Sequence, residues 1–97
     1  MPGIKKINIL KDVTINPNEG VEFTPTKDNN AITVIGNSQE IEIVGGGSNI
    51  VCSDSKPWIG KHNTTFQAGG KFSSSFSINN LSDETIKAVH TEIIVGF

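Results

Sequence analysis

The chain has 97 residues, enough for one domain with one core, and a net charge of −2 with 35% hydrophobic residues sets it among folded chains rather than disordered ones. Ile, Val, Thr and Phe number 34 against only 6 Ala, Leu and Met, while Gly, Asn, Ser and Pro supply another 33. The first group suits pleated strands and the last suits turns, so an all-α fold is excluded.

From Lys5 through Ile7, Ile9, Lys11 and Val13 to Ile15 every second position is mostly apolar, which predicts a long N-terminal strand with one buried face. The first six residues carry two lysines, Lys5 and Lys6, but the alternating run that follows lacks the apolar core of a secretory leader, so synthesis in the cytoplasm is expected. Asn16 to Gly20 reads as a turn, and Val21 to Pro25 as a strand with Val21 and Phe23 inward, ended by a proline that cannot donate to a ladder. Asp28 to Asn30 turns the chain again. Ala31–Ile35 and Glu40–Val44 then read as a hairpin joined through Gly36 to Gln39, with Glu40 and Glu42 toward water and Ile41 and Ile43 inward.

Gly45 to Ser48 is a loop without the following helix or Gly-Lys-Ser/Thr ending of a phosphate cradle. After a short strand at Asn49–Ser53, the stretch from Asp54 to Asn63 is the longest without alternation. Thr64–Ala68 is a further strand. Lys71–Ile78 alternates, placing Phe72, Phe76 and Ile78 on one face, and Asn79–Glu84 turns. The final strand, Thr85–Phe97, sets Val89, Thr91, Ile93, Val95 and Phe97 on one side. About eight short strands in one domain spanning 1–97 predict an antiparallel β-sandwich of Greek-key or jelly-roll type, with a small closed barrel as the alternative. No apolar run is long enough to span a membrane as a helix.

Chemistry-bearing residues concentrate at Cys52, Asp54, Trp58, Lys61, His62 and Asn63. As a metal site this cluster lacks paired-ligand spacing, since Cys52 and His62 stand ten apart and His90 is the only other imidazole. Cys52, between Val51 and Ser53, reads as a small buried hydrophobe rather than a nucleophile. Trp58 offers a flat ring for a sugar face with Asp54, His62 and Asn63 as hydroxyl partners, or it plugs one end of the sandwich with Pro57 and Ile59. Glu40 and Glu42 look solvated, without the opposed environments of an acid/base pair. Asn63-Thr-Thr and Asn80-Leu-Ser match the glycosylation pattern formally, but both read as turn sequence.

No catalytic residue, metal or cofactor is therefore expected. Eight lysines without an arginine leave no guanidinium fork to read guanine or clamp phosphate, so nucleic acid is not an expected partner either. The expected function is that of a non-catalytic structural protein contacting other protein subunits as a homo-oligomer or larger assembly. Its most concrete form is a virion component, at a capsid vertex, as a decoration or in a tail. The contacts would run through strand edges and the apolar end at Ile93, Val95 and Phe97. The alternatives are a carbohydrate-binding module built on the Trp58 stretch, with a glycan as partner, and a receptor-binding or inhibitory protein acting through its loops.

Overall fold

The computed structural model describes residues 3–45 and 57–96, which form six strands: β1 (Gly3–Ile15), β2 (Gly20–Phe23), β3 (Asn29–Gly45), β4 (Pro57–Gly70), β5 (Phe76–Asn80) and β6 (Ile86–Gly96). All pairings are antiparallel. At about 3.3 Å per residue a straight β3 would run roughly 53 Å, more than the 44 Å longest dimension of the molecule, so the strand must curve. It does so while changing partner. Asn29–Ile35 pairs with β6, Ile41–Gly45 pairs with β5, and β4 follows β3 along the opposite side from Asn30 to Glu42.

The result is two antiparallel sheets joined by shared strands. One is ordered β1-β6-β3-β4 and the other β2-β5-β3-β4, each taking a different half of β3 and β4. Six strands thus supply eight strand segments, which is how the expected count of about eight is met. The fold is all-β and of the small sandwich type.

The expected hairpin at Ala31–Val44 is instead the continuous strand β3. Its buried residues are even-numbered before the bend (Ile32, Val34) and odd-numbered after it (Ile41, Ile43). A register irregularity between Gly36 and Ser38 lies where that parity changes, so what resembles a turn in sequence is a break in pleat that keeps both halves facing inward. The stretch Asp54–Asn63 is likewise not wholly irregular, since β4 begins at Pro57. The Asp28–Asn30 turn is shorter than expected because β3 starts at Asn29, and β5 starts only at Phe76.

One further expectation about strand faces is corrected. Along β1, Ile7 and Ile9 do not share a face with Val13 and Ile15. The ladder to β6 carries an extra β1 residue between Ile4 and Lys6 and another between Ile9 and Lys11, and each such bulge shifts the alternation by one. Lys11, Val13 and Ile15 turn inward while Ile4, Ile7 and Ile9 turn out. In β6 the core-facing set is Ile86, Ala88 and His90, so the odd-numbered row from Val89 to Val95 lies on the outer side. Phe97 lies outside the described residues, as do Cys52, Asp54 and the Asn49–Ser53 segment.

The core is built of Ile15, Phe23, Ile32, Ile41, Phe76, Ile78 and their neighbours, as the alternation in β2, β3 and β5 predicts. Phe76 stacks on Phe23 at 5.3 Å between ring centroids and meets Phe72 at 4.5 Å, a geometry that adds to the area these rings bury. The Asn16–Gly20 turn closes with Asn18 at a φ of 63°, a left-handed conformation that asparagine tolerates better than most residues.

Candidate functional site

Residues directly opposite in an antiparallel ladder project to the same face, so the register sorts the chemistry of the β1-β6-β3 sheet into rows. On its inner side the outermost row is Lys6 with Ile94, followed by Asn8, Glu92 and Asn30 and then by Lys11, His90 and Ile32. Behind these come Val13, Ala88 and Val34, then Ile15 with Ile86. The interior therefore grades from polar at one end to aliphatic in the middle.

His90 is 1% exposed and sits edge-on to the rings of Phe23 and Phe76, at 5.7 and 5.4 Å. Its Nε2 lies 2.7 Å from Asn30 Oδ1. The Asn30 amide nitrogen donates to Thr26 Oγ1 and to the Asp28 carbonyl, which leaves Oδ1 as acceptor and assigns the imidazole proton to Nε2. Burial, reinforced by the Lys11 ammonium and opposed by Glu92, holds His90 below its usual pKa. Glu92 goes the other way in charge: hydrogen bonds from Asn8 and Thr26 hold its carboxyl below the usual carboxylate range. A neutral imidazole and an ionised carboxylate thus stand two residues apart on one strand face. Both have protein partners, and the buried one of the two, His90, is satisfied by Asn30.

Elsewhere the polar atoms close on one another in the same way. Asn80 is fully buried, and its amide donates to the carbonyls of Ile15 and Glu84 while accepting from the backbone and hydroxyl of Ser82. It borders a shallow depression of about 220 Å³ floored by Asn18, Glu19, Gly20 and Asn79. Among the described residues no group of three His, Cys, Asp or Glu side chains is placed to hold a metal ion.

The outer faces of the two sheets differ in character. On the β2-β5-β3 sheet the rows are Glu22, Ser77 and Val44, then Gly20, Asn79 and Glu42, with Asn79 donating to Glu42 at 3.1 Å. That is the usual polar outer side of an antiparallel sheet. On the β1-β6-β3 sheet the rows are Ile4 with Val95, Ile7 with Ile93 and Asn29, Ile9 with Thr91 and Ala31, Asp12 with Val89 and Thr33, and Thr14 with Lys87 and Ile35. Ile4, Ile7 and Ile9 are 66%, 56% and 68% exposed, and Val95 is 47% exposed. The charges on this side, Asp12 and Lys87, pair with each other at 3.5 Å.

Of the residues singled out from sequence, Ile93 and Val95 belong to this apolar outer face. Trp58, His62 and Asn63 lie on β4, where position 58 pairs with the buried Ile41 and positions 62 and 63 fall within the β3/β4 register irregularity. The side chains of 57–68 lie outside the described part of the molecule, as does Asp54 entirely. The Asn30–His90 pair was missed. Its signal is present, because Ile86, Ala88 and His90 alternate, but the parallel run of Val89, Thr91, Ile93 and Val95 is more apolar and masks it.

No protein-family model and no curated protein matches the chain. Among solved structures it is similar to a de novo designed double-stranded β-helix determined by solution NMR. The TM-score is 0.52 at 18% identity, over 93% of this chain and 100% of the design. This likeness places the fold among double-stranded β-helices, the jelly-roll arrangement in which long strands serve both sheets. The cupin domain of Schizosaccharomyces pombe Cnp3 aligns at a TM-score of 0.49 and 14% identity, over 94% of this chain and 63% of that one. A chain of the Bacillus endospore appendages, which form a novel family of disulfide-linked pili, aligns at a TM-score of 0.41 and 14% identity, over 95% of this chain and 92% of that one.

Proposed function

We propose that this chain is a non-catalytic structural protein that works by contacting other protein subunits, in a homo-oligomer or a larger assembly. The supporting observation is the aliphatic outer face of the β1-β6-β3 sheet, set against the polar outer face of the other sheet. Contiguous exposed apolar surface of this kind marks interaction sites on folded proteins. Ile93 and Val95, singled out from sequence as contact residues, lie within it. In this reading the chain needs no reacting group, and the buried imidazole with its Asn30 partner serves to order the sheet end. A virion, at a capsid vertex, as a decoration or in a tail, is the setting we propose, since a small β module present in many copies needs only surfaces there. Sedimentation of the purified chain across a wide concentration range tests the reading. Association beyond one copy is expected, and a strictly monomeric species at high concentration sinks it.

A further inference from the structure

Building on that reading, we infer that the apolar outer face of the β1-β6-β3 sheet is covered by the same face of a second copy, so that two sandwiches pack sheet on sheet about a two-fold axis. Three features select this occupant and this mode.

The first is area. Three strands about 4.8 Å apart, each contributing about ten residues, offer roughly 500 Å² in projection. Side chains standing up from the sheet raise the accessible area toward the ~800 Å² per partner of a standard interface. Branched aliphatic side chains in alternating rows are also what the inner faces of this same molecule pack on one another, together with phenylalanine.

Charge is the second. Asp12 and Lys87 neutralise one another within one chain, so among the described residues the face carries no uncompensated charge to repel its own copy and none to steer toward an oppositely charged partner. Lys6 and Lys11 belong to the inner rows, and the stem of Lys5 lies against Gly96, also on the inner side.

The third is the edge. β1 is the outermost strand of its sheet, and an unpaired edge invites strand addition. Yet it carries two bulges and three lysines in thirteen residues, the devices that blunt an edge against pairing. Association by the face uses what is apolar and leaves aside what is protected.

Sedimentation equilibrium under reducing conditions tests the inference with three proteins: the wild-type chain, the double variant Ile7→Lys/Ile9→Lys, and the control Val44→Lys on the polar outer face. The wild type and the control are expected to reach twice the 10.4 kDa chain mass at about 0.1 mM. In the double variant the dissociation constant should rise by at least about a hundredfold, the scale of an unpaired ammonium buried in an apolar interface. Because Ile7 and Ile9 are largely exposed in the single chain, the variant should keep its circular dichroism spectrum. If it does not, Ile9→Ser serves in its place, with weaker association expected. An oligomer whose mass ignores these substitutions while the fold is intact overturns the face-to-face arrangement and leaves the assembly reading standing. A wild type that stays monomeric at about 1 mM overturns both. Hydrogen exchange adds a second readout: concentration-dependent protection of the β1 edge amides would show strand-to-strand pairing and overturn the inference, whereas face packing leaves them unchanged.

Discussion

Asn80 spends its whole amide on the backbone and Ser82: two donated and two accepted hydrogen bonds tie the end of β1 to the turn that leads into β6. Truncation to Ala strands the buried Ile15 carbonyl and takes the acceptor from the Ser82 backbone and hydroxyl, while the Glu84 carbonyl keeps only its bond from Ser82 Oγ, so Asn80→Ala should cost about 3 kcal/mol. A chain of this size loses about 4–8 °C of melting temperature per kcal/mol, so the calorimetric midpoint should fall by more than about 10 °C. His90 makes the second residue-scale prediction. Its folded pKa is depressed by burial and by Lys11, so below the ordinary value of 6.5 the unfolded chain takes up a proton that the folded chain refuses. Stability is therefore full above that pH and declines as pH falls through it toward the folded pKa. Glu92, whose folded pKa is also lowered, adds its own loss only in the acid range below the carboxylate value. Thermal melts between about pH 7.5 and pH 5 should show the decline, and His90→Phe should flatten that part of the profile. A wild-type profile already flat over this interval would contradict the burial argument.

At the scale of the element, β1 and β3 show how one extra residue decides which side of a sheet a side chain reaches. Removing Leu10, the unpaired residue between Ile9 and Lys11, should regularise the ladder to β6 without changing which residues face inward. The cost appears at the edge, now straighter and open to pairing, and light scattering should detect aggregation that the parent chain lacks. Gly45 ends β3 with a φ of 94°, and a Cβ there would meet the Ser75 carbonyl oxygen at 2.6 Å. Gly45→Ala should consequently destabilise by about 1–3 kcal/mol, read from denaturant midpoints. The alternation of β2, the second half of β3 and β5 is legible in sequence because no irregularity interrupts those short runs. Along β1 and across Gly36–Ser38 the same reading fails, since a bulge leaves no fixed residue signature and moves every later side chain to the other face.

For the whole molecule, the decisive pairings are distant in sequence. β1 meets β6 from Gly3 opposite Gly96 to Ile15 opposite Ile86, and the two halves of β3 join sheets whose other members come from both ends of the chain. Little local structure can form in advance of these contacts, so refolding is expected on about the millisecond-to-second scale typical of non-local β topologies. Stopped-flow tryptophan or far-ultraviolet dichroism measures it, and microsecond refolding would contradict the topology. The same connectivity leaves one sheet with an ordinary polar exterior and the other with an aliphatic one. On that asymmetry rest both the assembly reading and the face-to-face pair.

Composition alone determined that this chain is all-β and built of short alternating runs, because β-branched residues and turn formers at that density permit nothing else. The alternation of the last strand marked Ile93, Val95 and Phe97 as candidate contact residues. The tertiary structure decided how many strands those runs make and which side of each sheet they reach. It also brought His90 against Asn30 across sixty positions of chain. Alternation is a local property and records only that two faces differ. Which of them becomes the core depends on bulges and on partners that the fold brings together from far apart.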